Sequence, residues 1–578
     1  MVTTRTQPIC ISQFPTPNQT LQILHWDGRL DNRDDLRLNV GEPLRGNGSE
    51  AALALAAYER WGTDGLVHLV GDWSAVIRDR TTGAVILASD YAGVRPLYYH
   101  VRGGNVLWSS RLESLVDETG ISELDEQYVA GFLTMGGCPN HTPYKGIYSV
   151  PAGHAVCVTL RGTTIRPFWT LPVGDEIRYE SDHRYEEQLR ALFREAVAVR
   201  LQTGSPVLAE LSGGLDSSSV VSMANQLIRD RAVPAPRLVT VSYLWRNSID
   251  ESFIREVESY CGTERAHLST HTNPLISAAQ TGKALPAGFE PLRSAVADTA
   301  YEFGAKVFLT GRNGDLVTGN WFDDSLQVAA HVRRLRLGRA CHEALAWSKV
   351  LGLPIYSTLW RAFRAALPAA LSPAAIYAQQ DGSYAPRSLE TSLAPKFRGN
   401  TGDGEAAGIF SRAWMQAPPE RRKYFRSLSM MLELRSLQAP ESMQHLDYTH
   451  PFAHRPLVEF LMAVPADVLC GPGEPRRLMR RALSDLWPPK LRKRRSKGLF
   501  GAPWHEALLP MVQELLRTRT LLVVERGFVD RTSFVSRLER LTAGVDCNET
   551  QLRQIVLLEF WLRNRQPAHA GETGTRAA

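Results

Sequence analysis

A glycine-rich turn with two hydroxyls and one acid follows a short apolar run near the middle of the chain. Residues 206–211 predict a strand, and Ser212-Gly213-Gly214-Leu-Asp216-Ser217 then leads into an apolar helical pattern. Glycine lets the backbone approach a ligand closely, and amides at a helix N-terminus attract an anion. The carboxylate of Asp216 suits a Mg²⁺ ion that bridges phosphate oxygens. The turn therefore predicts a pyrophosphate-binding site, and it is not a Walker A loop because no Gly-Lys-Ser/Thr follows.

Alternating strand and helix patterns from residue 183 onward would position this turn. Strands are predicted at 207–211, 237–244, 265–269 and 306–310, and helices at 185–202, 217–230, 250–261 and 292–303. Such a βαβ series implies a parallel sheet that binds ligands at the carboxyl ends of its strands. A second turn, Gly311-Arg312-Asn-Gly314-Asp315, follows the last strand. We expect both turns at one sheet edge, with Asp216 and Asp315 sharing Mg²⁺.

The first 170 residues have a different pattern, in which short apolar strands alternate with glycine and aspartate turns. Two helices are predicted there, at 50–61 and 125–133. Residues 169–179 carry proline, glycine and charges, so we place the domains at 1–175 and 176–565. The second domain includes a helical insert at about 325–440, with a loop near 398–407 that we expect to be mobile, and 440–565 is also predicted to be helical. The tail 566–578 is predicted to be disordered.

Composition is that of a globular protein, with 44% hydrophobic and 22% charged residues. The net charge of +6 neither favours nor excludes a nucleic-acid partner. Seven cysteines without a Cys-x-x-Cys pair argue against a zinc site or a disulfide framework and fit a reducing cytoplasm. The chain has no apolar run of about 18 residues and starts with a polar segment, so we expect neither a membrane span nor a signal peptide.

Several blocks resemble, in order, the glutamine-dependent asparagine synthetase superfamily, and the turn at 212–217 resembles the loop of ATP pyrophosphatases. The matching blocks lie within roughly residues 25–510 and are Gly71-Asp-Trp-Ser-Ala-Val, Ser89-Asp-Tyr-Ala-Gly-Val-Arg-Pro-Leu-Tyr-Tyr, Ser212-Gly-Gly-Leu-Asp-Ser-Ser, Ile249-Asp-Glu-Ser, Leu309-Thr-Gly-Arg-Asn-Gly-Asp, Pro451-Phe-Ala-His-Arg-Pro-Leu-Val-Glu-Phe and Arg494-Arg-Ser-Lys-Gly-Leu-Phe. The resemblance implies an α/β fold class. An Ntn-hydrolase-like, amidotransferase-like sandwich rich in β-structure would precede an ATP-pyrophosphatase doubly wound parallel sheet with a helical extension.

The N-terminal half departs from that family at both of its functional positions. Members that hydrolyse glutamine carry cysteine directly after the initiator methionine, whereas Val2 stands here and Cys10 would need an unusual cleavage to become terminal. The family's glutamine-binding Asn-Gly-Glu corresponds to Asp27-Gly28-Arg29, which reverses the charge that would meet the substrate's α-ammonium. We therefore predict an amidotransferase-like fold without glutaminase activity and without a glutaminase nucleophile.

The second half departs at Arg312, where asparagine synthetases carry glutamate and β-lactam synthetases tyrosine. Asp315 is also followed by Leu316 rather than by glutamate. The pattern is most similar to lasso-peptide (macrolactam) cyclases, which carry a silent amidotransferase domain. That resemblance implies an AMP-forming amide ligase that uses ATP and Mg²⁺ on a ribosomal precursor peptide. It also implies a leader peptidase and a leader-peptide-binding protein as partners.

The resemblance and the turn positions together assign the candidate site. Lys497 would stabilise charge on the phosphorus and on the tetrahedral intermediate. Alternatively it is one solvated charge in a basic stretch, 476–497, that holds ten Lys or Arg residues. The predicted ATP- and pyrophosphate-binding residues are Leu211, Ser212, Gly213, Gly214, Asp216, Ser217, Val241, Ser242, Gly311 and Gly314, and the predicted Mg²⁺ ligands are Asp216 and Asp315.

Ring closure also needs an acceptor for the ammonium proton. Glu433, Glu441 and Glu459 are candidates by residue type only, and acids on a helix surface are the simpler interpretation of each. Asp250-Glu251 is expected to cap a helix, although the family places it near the nucleotide.

Four other functions remain open. They are an ammonia-dependent asparagine synthetase, a β-lactam synthetase, an inactive peptide-binding scaffold, and a tRNA-modifying pyrophosphatase that uses the basic stretch. Arg312 counts against the first two. The intact turns and Lys497 count against the scaffold, and the amidotransferase-like half counts against the tRNA enzyme, so we expect no nucleic acid.

Overall fold

The structure is a computed structural model that describes residues 10–13, 22–41, 48–79, 81–134, 137–174, 176–279, 282–285, 288–367, 416–495, 501–545 and 549–565. Its described strands form three sheets. The strands are β1 (Cys10–Gln13), β2 (Gln22–Leu30), β3 (Gly71–Asp79), β4 (Ala84–Ser89), β5 (Tyr98–Arg102), β6 (Asn105–Ser109), β7 (Tyr148–Ser149), β8 (His154–Thr159), β9 (Gly162–Pro167), β10 (Val207–Glu210), β11 (Leu238–Leu244), β12 (Glu264–Ser269), β13 (Val307–Leu309) and β14 (Asp447–Thr449).

Helices connect and cover these sheets. Within the described residues the α-helices are Arg33–Val40, Glu50–Trp61, Leu112–Thr119, Glu126–Thr134, Asp182–Ala198, Leu215–Arg229, Glu251–Cys261, Glu290–Glu302, Gly314–Val317, Val328–Arg333, Leu337–Leu351, Ile355–Ala366, Arg422–Glu433, Arg455–Ala463, Ala466–Leu469, Arg477–Leu483, Pro489–Arg492, Gly501–Arg517, Leu522–Glu525, Arg531–Thr542 and Glu549–Arg563. The helices predicted in both halves of the chain are present, with their ends shifted by a few residues.

The N-terminal part is a sandwich of two antiparallel sheets, as the resemblance implied. One sheet has the order β2-β3-β4-β8-β9 and the other β1-β6-β5-β7. Val76 and Leu87 point from the first sheet onto Tyr99 and Trp108 of the second. Alternate residues of β3, such as Ile77, face the opposite way and pack against the helices Arg33–Val40 and Glu50–Trp61. Both faces of β3 are therefore buried, which explains why its centre, Trp73 to Ile77, is apolar except for Ser74.

The second part is built on a parallel sheet with the order β12-β11-β10-β13-β14. Along the central strand β10, Val207 and Ala209 pack toward the helix Leu215–Arg229, and Leu208 packs toward the helix Glu290–Glu302. Helices thus cover both faces, as in a doubly wound sheet. The α/β fold class predicted from the sequence is confirmed.

One strand was missed from the sequence. Residues 440–565 were predicted to be helical throughout, but Asp447–Thr449 forms β14 and pairs in parallel with β13. A strand of three residues is too short for its alternation to be recognised, and it pairs with a segment about 140 positions away in the chain.

The helical extension packs against the sheet domain. It has its own hydrophobic core, which includes Trp347, Ala344 and Ala362. The loop predicted near 398–407 and the tail 566–578 lie outside the described residues. Among the helices that are described, none combines the length and apolar character needed to cross a bilayer.

Candidate active site

The glycine-rich turn at 212–217 follows β10 directly and starts the helix Leu215–Arg229. Gly213 has a φ of +71°, and Gly214 is the residue before the helix. The hydroxyl of Ser217 accepts a hydrogen bond from the Ser212 amide at 3.1 Å and lies 3.0 Å from the Ser212 hydroxyl. The turn is therefore a closed loop with its amides at a helix N-terminus, which is the arrangement that binds phosphate groups.

The second glycine turn lies directly against the first. A Cβ atom at Gly311 would stand 2.5 Å from the Ser217 nitrogen, and one at Gly314 would stand 2.4 Å from Oδ1 of Asp216. Neither position has room for a side chain, so glycine at both allows the two turns to touch. Between them Asn313 has a φ of +70° and donates its side-chain amide to the Phe452 carbonyl at 2.9 Å.

The two predicted Mg²⁺ ligands have different surroundings. Asp216 is 8% exposed, and its Oδ1 accepts a bond from Nη1 of Arg476 at 2.5 Å. Asp315 is exposed in the first turn of the short helix Gly314–Val317. Among the described residues, no group of three or more histidines, cysteines or acids is arranged to hold a metal ion. Mg²⁺ bound with ATP needs only one or two protein carboxylates, since phosphates and waters complete its shell, so two aspartates are enough in number.

Two arginines of the basic stretch 476–497 separately reach the glycine-rich turn at 212–217, called the ATP turn below. Arg476 neutralises Asp216, while Arg494 donates from Nη1 to the Gly213 carbonyl at 2.7 Å and pairs through Nη2 with Asp250. Both side chains are buried. The sequence signal that could have identified them is that the arginines of this stretch alternate with apolar residues that become buried, such as Met479. A stretch that is solvated on all sides would not carry such apolar residues.

Asp250 differs from its predicted role. It occupies the N-cap position of the helix Glu251–Cys261, but its carboxylate makes no capping hydrogen bond. It pairs instead with Arg494, which donates to the Gly213 carbonyl, so Asp250 supports the ATP turn through Arg494. Lys497, three residues further along, lies outside the described residues.

Val241 and Ser242 lie in β11, next to the ATP turn. Both are fully buried, and the Leu211 amide donates to the Val241 carbonyl at 2.8 Å. The hydroxyl of Ser242 is buried with no hydrogen-bond partner in the described structure. A buried orphaned hydroxyl is costly, so a polar ligand atom there would satisfy it. This observation fits a nucleotide beside β11.

Arg312 extends from the second turn to a wall formed by β14 and the segment after the helix Arg422–Glu433. Its Nη1 donates to the Ser436 carbonyl at 2.7 Å, and its guanidinium lies 5.7 Å from the centre of the Tyr448 ring. The Tyr448 hydroxyl raises the pKa of Arg312, while burial and the nearby Arg312 charge lower the pKa of Arg293. Arg312 is therefore a fixed cation at the site.

Two of the three candidate bases have raised pKa values, and the third is held by hydrogen bonds. Burial raises the pKa of Glu433 to about 7, and its carboxylate accepts a bond from Ser429 at 3.0 Å. Glu441 has its pKa raised to about 7 by burial and by Glu113. Glu459 instead accepts hydrogen bonds from the Trp169 indole at 2.8 Å and from Arg455, so it is a structural bridge between the two halves.

The helix that ends at Glu433 lies close to the second glycine turn. This helix, Arg422–Glu433, packs against the short helix Gly314–Val317. Ser436, three residues later, accepts the bond from Arg312. A carboxyl group whose pKa is raised by burial to about 7 has one of the properties of a general base.

Comparison with known proteins matches one family model to each of the two parts of the chain. A family model described as asparagine synthase matches residues 188–563, and one described as glutamine amidotransferase domain matches residues 12–169. Asparagine synthetase [glutamine-hydrolyzing] 3 of Bacillus subtilis is 30% identical over 34% of this chain and 33% of its own length. The carboxyethyl-arginine beta-lactam-synthase of Streptomyces clavuligerus is 30% identical over 43% of this chain and 45% of its own length.

These matches span a third to a half of the curated relatives' length. The motif blocks had predicted the superfamily, and the family models confirm that prediction. Because the asparagine synthase match covers well over half of the residues, the chain belongs to the asparagine synthase family.

Proposed function

We propose that the protein is an ATP-dependent, AMP-forming amide ligase of the macrolactam-forming type, a lasso-peptide cyclase. It would adenylate an Asp or Glu side chain of a precursor core peptide and join it to the peptide's N-terminal amine. The proposal depends on a contrast between the ATP turns and the position where the family binds glutamine. The two ATP turns are in contact around Asp216, whereas the position expected to bind glutamine holds a buried cation, Arg29. ATP chemistry is thus supported and glutamine as amine donor is not.

The described residues suggest how a carboxylate would be activated. Amides of the turn 212–217 would hold the pyrophosphate portion of ATP, with Arg494 fixing the Gly213 carbonyl away from the phosphates. Asp216 and Asp315 would hold Mg²⁺, which neutralises the triphosphate. The hydroxyl of Ser242 would bind the nucleoside. The carboxylate then attacks the α-phosphorus, releasing pyrophosphate and leaving an acyl-adenylate, with Lys497 proposed to stabilise the developing charge.

Glu433 is the proposed proton acceptor for ring closure. The attacking amine must lose its proton, and a group with a pKa of about 7 accepts one readily near neutral pH. Arg312, fixed nearby, would favour an anion in the substrate, such as the carboxylate to be activated.

Threading a tail through a ring also requires that the enzyme hold the peptide prefolded in a cavity. The helical extension is the proposed wall of that cavity. A leader peptidase and a leader-peptide-binding protein would be its partners.

A second candidate is an amide ligase that acts on a small molecule. The similarity to an asparagine synthetase and to a β-lactam synthase, each 30% identical over part of its length, favours it. Arg312 argues against the aspartate reaction, because it places a cation where the family's asparagine synthetases carry glutamate.

The deciding experiment measures AMP and pyrophosphate formation with Mg²⁺ and either aspartate plus ammonia or a precursor peptide with its processing partners. AMP formed only with peptide, together with loss of one water from the core peptide by mass spectrometry, would establish the cyclase. AMP formed with aspartate would establish the small-molecule ligase. AMP formed with neither would refute the cyclase reaction for the peptide used and the aspartate reaction.

A further inference from the structure

Arg29, which stands where the family's motif binds glutamine, lies at the boundary between the two domains. Nε of Arg29 donates to Asp31 at 2.6 Å, and Nη2 donates to Asp72 at 2.9 Å. Nη1 lies 3.9 Å from Asp447, which starts β14 of the parallel sheet. The side chain is only 12% exposed. A residue expected to face a small substrate thus connects the N-terminal sandwich to the ATP-binding half.

Two more arginines complete this group. Arg95 pairs with the other oxygen of Asp447, and Arg200 donates to Asp72 at 3.2 Å and to the Thr449 hydroxyl at 2.8 Å. We call these residues the interdomain charge cluster; its members are Arg29, Asp31, Asp72, Arg95, Arg200 and Asp447. Three cations balance three anions, which is the condition under which buried charges are tolerated.

The electrostatics show how strongly the acids depend on the arginines. Burial by itself raises the pKa of Asp72, but the guanidiniums of Arg200 and Arg29 outweigh it and hold that pKa well below its usual range. The hydroxyl of Thr449 also donates to Asp72 at 2.7 Å. The cluster therefore holds β14 by its side chains as well as by its backbone.

A continuous path of hydrogen bonds leads from β14 to the ATP site. The Thr310 amide donates to the Thr449 carbonyl at 3.2 Å, and the Thr310 hydroxyl lies 2.7 Å from Nδ1 of His450. That hydroxyl also accepts a bond from the Arg312 amide at 3.2 Å. Arg312 belongs to the second glycine turn, whose Gly311 and Gly314 touch the ATP turn.

From this path we propose that the interdomain charge cluster positions the ATP site. Arg29 and Arg200 fix β14 against the sandwich, β14 fixes Thr310, and Thr310 fixes the second glycine turn against Asp216. The silent amidotransferase-like domain would then have a use, since it supplies one side of the cluster. The proposal rests on the proposed function only in taking the two turns as the ATP site.

The test uses the full-length protein with Arg29→Met and, separately, Thr449→Val. The first removes the central cation, and the second removes one hydroxyl at constant shape, so it is the safeguard if Arg29→Met does not fold. Two quantities are measured for each variant. They are the dissociation constant for Mg·ATP by calorimetry and the hydrogen-exchange rates of amides 310–317 by mass spectrometry.

Matched controls come from the same chain. Arg237→Met breaks an exposed arginine–glutamate pair with Glu264, and Thr358→Val removes a buried hydroxyl bonded to Ser348 in the helical extension. Neither control contacts the cluster in the described structure. Both should leave ATP affinity and exchange at 310–317 as in the wild type.

We expect both cluster variants to weaken ATP binding and to speed exchange at 310–317, each by about twofold to thirtyfold. Exchange in β6, whose residues belong to the sandwich core and not to the cluster, should change less. A folded Thr449→Val with unchanged ATP affinity and unchanged exchange at 310–317 would overturn the proposal. Wild-type protein that binds no ATP would refute the proposed function, whereas the exchange measurement would still decide the positioning role.

Discussion

At the scale of single residues, the pairing of Asp216 with Arg476 joins the proposed Mg²⁺ ligand to a buried cation. Asp216→Asn should abolish measurable AMP formation, because the carboxylate is the proposed Mg²⁺ ligand. It should also destabilise the protein by about 1–3 kcal/mol, because the buried guanidinium of Arg476 loses its counterion. Pyrophosphate exchange and urea unfolding measure the two effects. Asp485→Asn, which breaks an exposed pair with Arg190, should cost no more than about 1 kcal/mol and leave activity intact.

Glu433 gives the site an expected pH dependence. A base must be deprotonated to act, so the rate of amide formation should rise as the pH passes through about 7 and then level off. Glu433→Gln should lower the rate and remove this rise, and a pH–rate profile checks it. Glu459→Gln should keep the rise, because Glu459 bridges Trp169 and Arg455. Loss of the rise in Glu441→Gln alone would assign the base to Glu441 instead.

The same shift affects stability. The pKa of Glu433 is higher in the folded protein than the ordinary value of a glutamate, so the folded state binds the proton more tightly. The stabilisation by that proton is complete in acid and is lost as the pH rises through about 7. Glu433→Gln should therefore lose less stability than the wild type over that rise, as measured by urea unfolding at several pH values.

At the scale of elements, the contact between the two glycine turns can be tested by a single methyl group. Gly314→Ala would place Cβ within 2.4 Å of Asp216, so the turns must separate. We expect a loss of ATP binding, measured by calorimetry, in a protein whose far-ultraviolet circular dichroism is unchanged. Gly338→Ala is the control, since it lies in the helix Leu337–Leu351 with open space around it and should stabilise that helix by about 0.5–1 kcal/mol. Wild-type ATP affinity in Gly314→Ala would contradict the role of the contact.

The sequence predicted the elements around the ATP turns well, because each combines a local apolar pattern with a glycine turn. Strand β10, the turn at 212–217 and the helix Leu215–Arg229 needed no information from elsewhere in the chain. Strand β14 and Arg494 could not be placed in this way. Both reach the site from more than about 130 residues away, and their roles depend on which residues the fold brings beside them.

At the scale of the whole molecule, the two domains share buried contacts of opposite charge, so we expect them to unfold together. Scanning calorimetry of the wild type should show one transition. Arg200→Met leaves Asp72 with one fewer counterion and should destabilise the protein by about 3–5 kcal/mol or split the transition in two. Arg190→Met, in the preceding helix, is the control and should shift the transition little, because its partner Asp485 is exposed. Two separate transitions in the wild type would show that the domains are energetically independent.

The buried arginine at position 29 also constrains any attempt to engineer glutamine use into this enzyme. Glutamate at position 29, which the family's glutamine-binding motif carries, would stand beside Asp31, Asp72 and Asp447. Four carboxylates without their central cation would repel one another and loosen the joint on which β14 rests. A substitution made at position 29 to bind glutamine would therefore damage the ATP site. Glutamine binding at position 29 would need compensating changes on both sides of the domain boundary.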